Sequence, residues 1–156
     1  MFAPNPIERT RKGDYRLRLS ETERELLRTL PGELLGLLAA DAADPSLRRL
    51  RPSAYDEDPE AEGEYQRLMR NELEEGRREA LGVLAETATH DRLTAEELDA
   101  WLRALNDLRL ALGTRLDVTE ETYERDFDPR DPDAYELSVF TYLSWLQEQA
   151  VEAALP

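Results

Sequence analysis

A chain of 156 residues is the size of one ordinary domain and can bury a core without disulfides or a metal. It contains no cysteine, which excludes a disulfide, thiolate metal sites, iron–sulfur clusters, cysteine nucleophiles and a thiol switch within this sequence. The net charge of −15 is unevenly spread: residues 1–51 carry ten basic and eight acidic side chains, and the remainder carries ten basic and 27 acidic. The acidic part repels duplex DNA, whose phosphates supply most non-specific affinity, so direct DNA binding is not expected. No stretch approaches the roughly 18 apolar residues of a membrane span. The N-terminus, MFAPNPIERTRKGDYRLRL, has no apolar run of signal-peptide length. The composition predicts a soluble cytoplasmic protein with no membrane partner.

The first segment, 1–19, reads as a β-hairpin. Ile7–Thr10 and Tyr15–Leu19 are the strands, joined through Lys12-Gly13-Asp14. Tyr15, Leu17 and Leu19 alternate with Arg16 and Arg18, the period of a half-buried strand. Ser20-Glu21-Thr22-Glu23 is a capping box that opens a helix to about Leu30. Pro31 should break or kink it, and a second piece should follow over 32–42 with Leu34, Leu35, Leu37 and Leu38. Residues 20–51 are therefore expected as a kinked helical segment. The acidic, proline-bearing stretch PSAYDEDPE at 52–60 supplies a linker over 52–58.

A helical bundle is predicted for 59–156. Its first helix runs from Pro59 to about Ala88, with Tyr65, Leu68, Met69, Leu73, Ala80, Leu81 and Leu84 as its apolar face. Gly63, Gly76 and Gly82 are expected to mark close helix–helix approach. Thr94 and Glu97 form a second capping box. The helix behind it carries Leu98, Trp101, Leu102, Leu105, Leu108 and Leu112 on one stripe, with Gly113 loosening its last turn. Thr119 can cap a short helical turn to about Arg125. The last helix should be capped by Asp131, begin at Pro132 and run to about Ala154. It is apolar nearly all round, which places it centrally or under a second copy of the chain. The fold class is mainly α: about four to five helices with a small N-terminal hairpin, in a single domain.

No nucleophile–base pair, phosphate loop or metal cage is spelled out, so no enzyme activity and no cofactor are expected. His90, the one histidine, sits in a polar loop without a visible catalytic partner. The aspartates of DFDPRDPD at 126–133 have the flavour of a cation loop. The sixth and twelfth positions, Asp131 and Leu137, are wrong for an EF-hand, so capping and solvation explain them better than metal. Trp101, Tyr135, Phe140, Tyr142 and Trp145 could form an interaction surface but fit a core better. The candidate contact residues are Arg9, Arg11, Lys12, Arg16 and Arg18 of the hairpin, with Phe140 and Trp145 of the last helix.

Three passages, RTRKGDYRLRLSETERELLRTLP at 9–31, RLTAEELDAWLRALNDLRLALGTRLDV at 92–118 and YELSVFTYLSWLQEQ at 135–149, carry a resemblance that spans nearly the whole chain. In order and wording they resemble the actinobacterial AosR-like family, long catalogued only as a domain of unknown function. The single lysine against nineteen arginines suits a GC-rich genome. The resemblance implies a non-enzymatic, transcription-associated regulator in the oxidative-stress response. It would act through protein contacts, with a sigma factor or RNA polymerase as partner; self-association as a homodimer is a second expectation, which rests on the apolar excess of the last helix. The absence of cysteine departs from regulation by thiol oxidation. Two alternatives stand beside it: a helical adaptor in another pathway such as protein quality control, and a weakly metal-binding acidic protein.

Overall fold

A computed structural model of the chain describes residues 5–40, 59–116 and 130–156. Two short strands, β1 (Ile7–Arg9) and β2 (Tyr15–Leu17), precede two helices, α1 (Glu21–Ala40) and α2 (Pro59–Thr87). A third strand, β3 (Arg92–Leu93), leads into α3 (Ala95–Arg115), and α4 (Ala134–Ala154) follows. The mainly α class with a small N-terminal sheet stands as expected, with four helices among the described residues. The linker at 52–58, the cap at Thr119 and part of the aspartate loop at 126–133 lie outside those residues.

The hairpin forms where expected, with Ile7 opposite Leu17 and Arg9 opposite Tyr15. Gly13 takes a φ of +89°, the left-handed conformation that this turn demands of a residue without Cβ. The structure adds β3, which pairs antiparallel with the other side of β2. Two residues are too few to show a strand period, and tertiary pairing alone creates this element. Ile7, Tyr15, Leu17, Leu19 and Leu93 turn inward and join the helical core.

Both capping boxes form. The Glu23 amide donates to Ser20 Oγ at 3.2 Å and the Ser20 amide donates to Glu23 Oε2 at 2.6 Å. The Glu97 amide donates to Thr94 Oγ1 at 3.1 Å, and the Thr94 amide donates to Glu97 Oε1 at 2.8 Å. The break at Pro31 does not occur: α1 is one helix with Pro31 inside it. A mid-helix proline costs about 3 kcal/mol. Leu27 and Leu34, both in the core on either side of it, hold the two turns in line, and Pro31 is itself buried.

The face read for α2 splits in two. Ala80, Leu81 and Leu84 are buried, but Tyr65, Leu68 and Leu73 are exposed. Leu68 lies about 140° round the helix from Leu81, so it belongs to another face. The glycines do not mark close approach either. A Cβ added at Gly63, Gly76 or Gly82 would meet nothing within 4 Å. At the other end of the chain, α4 starts two residues later than expected. Asp131 Oδ1 accepts from the Asp133 amide at 3.0 Å, forming a turn ahead of the helix, and Asp133 takes the cap position.

The core centres on Trp101, which has no exposed surface and whose Nε1 donates to Thr87 Oγ1 at 2.7 Å. The Thr87 hydroxyl donates in turn to the Val83 carbonyl at 2.6 Å. Around it, α3 packs against both α2 and α4, α1 packs on α2, and α4 also touches β1. Gly113 is buried, and α3 passes through it to Arg115. Arg24 fastens the sheet to the helices: its guanidinium donates to the carbonyls of Leu19, Ala88 and His90 at 3.1, 3.1 and 2.6 Å. No described helix is long and apolar enough to cross a membrane.

Candidate partner-binding surface

The sheet has one face against the helices and one in solvent. Strand alternation puts Glu8, Arg16 and Arg18 on the outer face, and the register sets Arg16 opposite Glu8 on one side and Arg92 on the other. Like charges placed directly opposite repel. The Arg92 guanidinium therefore leans to Asp14, at 3.4 Å, and Arg18 pairs with Glu8 at 3.1 Å. Arg9, Arg11, Lys12 and Arg16 are exposed and, among the described residues, enter no ion pair.

The turn that carries Arg11 and Lys12 is held firmly. The Thr10 amide donates to the Asp14 carbonyl at 2.9 Å and the Gly13 amide to the Thr10 carbonyl at 3.1 Å. The Thr10 hydroxyl donates to the Asp14 carboxylate, and the Lys12 amide donates back to that hydroxyl at 3.3 Å. The hydrogen bond from Thr10, with the charge of Arg92 behind it, holds the Asp14 carboxyl below its ordinary pKa. Asp14 thus stays ionised and is committed to the turn. The result is a pre-shaped cationic turn at Arg11 and Lys12, with Arg9 and Arg16 exposed on opposite faces of the hairpin, on a strongly acidic molecule. Exposed charges fixed in this way act mainly on encounter rate and partner choice.

The two α4 candidates sit elsewhere. Phe140 is buried, and Trp145 is half-buried against the core, its ring 5.9 Å from that of Tyr142. Of the five aromatics considered for an interaction surface, Trp101, Phe140 and Tyr142 lie inside, while Tyr135 is 72% exposed at the start of α4. Helical spacing could not separate Tyr135 from its neighbours, because α4 is apolar on most of its circumference. Sequence reasoning also missed Glu23 as a buried acid, since its capping role gives no sign of depth.

His90 is exposed, and its main chain serves the fold by binding Thr87 and Arg24. Among the described residues no three His, Cys, Asp or Glu side chains group as metal ligands.

Comparison with known proteins places the geometry in a family. The profile of the family described as "Domain of unknown function (DUF2017)" matches residues 4–154. A Mycobacterium tuberculosis protein named "Oxidative stress regulator AosR" is 31% identical over 182 aligned positions, covering 91% of this chain and 83% of the relative. The Mycobacterium bovis protein of the same name matches to the same extent. The aligned stretch is longer than this chain, so these relatives carry inserted residues within it. No solved structure matches.

Proposed function

From the fact that this chain belongs to the DUF2017 family, with the mycobacterial AosR proteins among its relatives, we propose that it is a non-enzymatic regulator of the oxidative-stress response. It acts on transcription through protein contacts, with a sigma factor or RNA polymerase as partner. The observation that carries the surface assignment is the group of exposed hairpin cations Arg9, Arg11, Lys12 and Arg16 on a chain of net charge −15. On such a background the hairpin cations attract an acidic partner, and the acidic surfaces repel it. The hairpin cations are too few, and the acidic remainder too large, for stable hold on duplex DNA. With no cysteine in this sequence, the signal does not pass through a thiol of its own.

The test is affinity purification from the native cell with the wild-type chain and an Arg11→Glu/Lys12→Glu/Arg16→Glu variant. The expected result is a transcription protein retained by the wild type, released by added salt and lost from the variant. Retention unchanged in the variant would remove the hairpin from the contact. Recovery of a protease or chaperone with no transcription component would favour an adaptor in protein quality control instead.

A further inference from the structure

The charges on the outer face of the three-stranded sheet are not balanced. Strand register puts Glu8, Arg16 and Arg92 in one row across β1, β2 and β3. Asp14 and Arg18 flank Arg16, two residues away on either side, and alternation turns them to the same face. Glu8 is taken by Arg18 at 3.1 Å. Asp14 is taken by Arg92 at 3.4 Å and by the Thr10 hydroxyl. Arg16 lies on the middle strand, exposed and, among the described residues, in no ion pair. The face thus holds three guanidiniums against two carboxylates, with the surplus cation at its centre.

The backbone beneath this cation is fixed. Tyr15 and Leu17 on either side of Arg16, and Leu93 next to Arg92, are buried in the core. The Leu17 amide donates to the Asp91 carbonyl at 2.8 Å, and the Arg24 guanidinium holds the His90 carbonyl at 2.6 Å. An incoming group therefore has only side chains left to order, which lowers the cost of binding. Directly opposed residues of an antiparallel pair have Cβ atoms about 4.5–5.5 Å apart, so Arg16 and Arg92 rise side by side. Like charges so placed repel, and one anion between them relieves both.

We propose that the outer sheet face receives one acidic side chain of a partner protein, its carboxylate on Arg16 and flanked by Arg92. This rests on the reading of the hairpin as a contact surface and narrows it: β3 joins the site, and Arg11 and Lys12 of the turn lie outside it. One surplus cation matches one carboxylate. A phosphate monoester, with a charge of roughly −1.5 to −2 at pH 7, exceeds it and meets Glu8 and Asp14 as well. Guanidinium and carboxylate join in one plane through two parallel hydrogen bonds. Arg92, with five donors, can serve Asp14 and the newcomer together. Hairpin periodicity gave no sign of Arg92, because tertiary pairing alone brings it beside Arg16.

The probe is the blocked pentapeptide Gly-Gly-Glu-Gly-Gly, with its glutamine counterpart, titrated into the full chain at low salt and followed by NMR. The glutamate peptide is expected to shift the amides of 15–18 and 91–93 and the Arg16 Nε–H, and to shift those of 10–13 less. The glutamine peptide should shift none of them. Arg16→Gln should abolish the response. Arg92→Gln should weaken binding about threefold, as loss of an exposed ion pair does. Arg11→Gln/Lys12→Gln should weaken it less than Arg92→Gln. All four residues are exposed, and circular dichroism checks that each variant is folded. The glutamate and glutamine peptides also discriminate on the wild-type chain alone. The proposal is overturned if the glutamate peptide shifts the turn alone or nothing, if the glutamine peptide acts equally, or if sodium sulfate at equal ionic strength reproduces the shifts. It is likewise overturned if Arg11→Gln/Lys12→Gln costs more than Arg92→Gln. The peptide does not come from the cell, so its failure leaves the protein-contact reading intact. A purification that retains no partner counts against that reading alone.

Discussion

From Ala80 to Thr87, α2 is wedged between α1 and α3, with Leu81 and Leu84 fully buried; from Gly63 to Leu73 the same helix leaves Leu68 at 68% and Leu73 at 47% exposure. Both stretches carry two leucines, but 80–87, ALGVLAET, has one charged residue in eight and 63–73, GEYQRLMRNEL, has four in eleven. Company then separates them further. The C-terminal half meets the stripe of α3 and the polar clasp of Arg24, Thr87 and Trp101, while the other half has outer faces that no described element covers. Apolar residues are stabilising only where something removes them from water.

The sharpest way to break this contrast is a pair of leucines. Leu84→Ala should cost about 2–5 kcal/mol, by lost transfer energy and a cavity that cannot fully collapse. Leu68→Ala should stay within about 0.5 kcal/mol, as surface changes do. Urea unfolding of both variants checks this, and a large cost at Leu68 would mean that the outer half is covered in solution.

Next in size is Arg24→Ala. It leaves the Ala88 and His90 carbonyls without their donor and should lower stability by about 2–3 kcal/mol, the range for hydrogen bonds to a charged group. The same urea series measures it, and a neutral result would show that the clasp does not anchor the buried half. Smaller and of opposite sign, Gly82→Ala should raise stability by about 0.5–1 kcal/mol. Gly82 is exposed in mid-helix and its missing Cβ would touch nothing. Thermal melts detect the gain; a loss would mean that another chain lies against that face.

The least effect concerns pH and lies where the two halves meet. Asp107 of α3 is paired with Arg77 of α2 at 3.5 Å. Burial raises the pKa of its carboxyl, and Arg77 offsets only part of that. The folded chain therefore holds this proton more tightly than the unfolded one. The resulting stability is complete below the ordinary carboxylate pKa and is lost as pH rises through the raised value. Unfolding midpoints of wild type and Asp107→Asn across the acid range should differ in slope in that direction. Parallel curves would show that Asp107 titrates as if exposed.

Local chemistry was legible before any fold was known. Ser20 with Glu23, Thr94 with Glu97, and Gly13 in its turn each act within four residues, so spacing alone reports them. The stripe of α3 was equally readable, because six apolar residues at steps of three and four leave one solution. Pro31 misled because its local cost is outweighed by Leu27 and Leu34 on either side, and Asp131 misled by two residues because it caps a bend ahead of the helix. The candidate contact residues divided in the same way. Arg16 and Arg18 could be placed on an outer face by alternation, whereas Phe140 could not be told from Tyr135 on a helix apolar nearly all round.

The amino-acid order by itself determined where α1, α2 and α3 begin, which face of the hairpin is charged, and that a largely helical body must form around Trp101. Those outcomes follow from hydrogen bonds and periodicities that close within a few residues. The tertiary structure alone decided that two residues after His90 become a strand, that half of α2 stays in water, and that Glu23 is sealed beside Tyr142. Each of these depends on what lies across space from the residue, and the burial of a group is set by its neighbours rather than by its own chemistry.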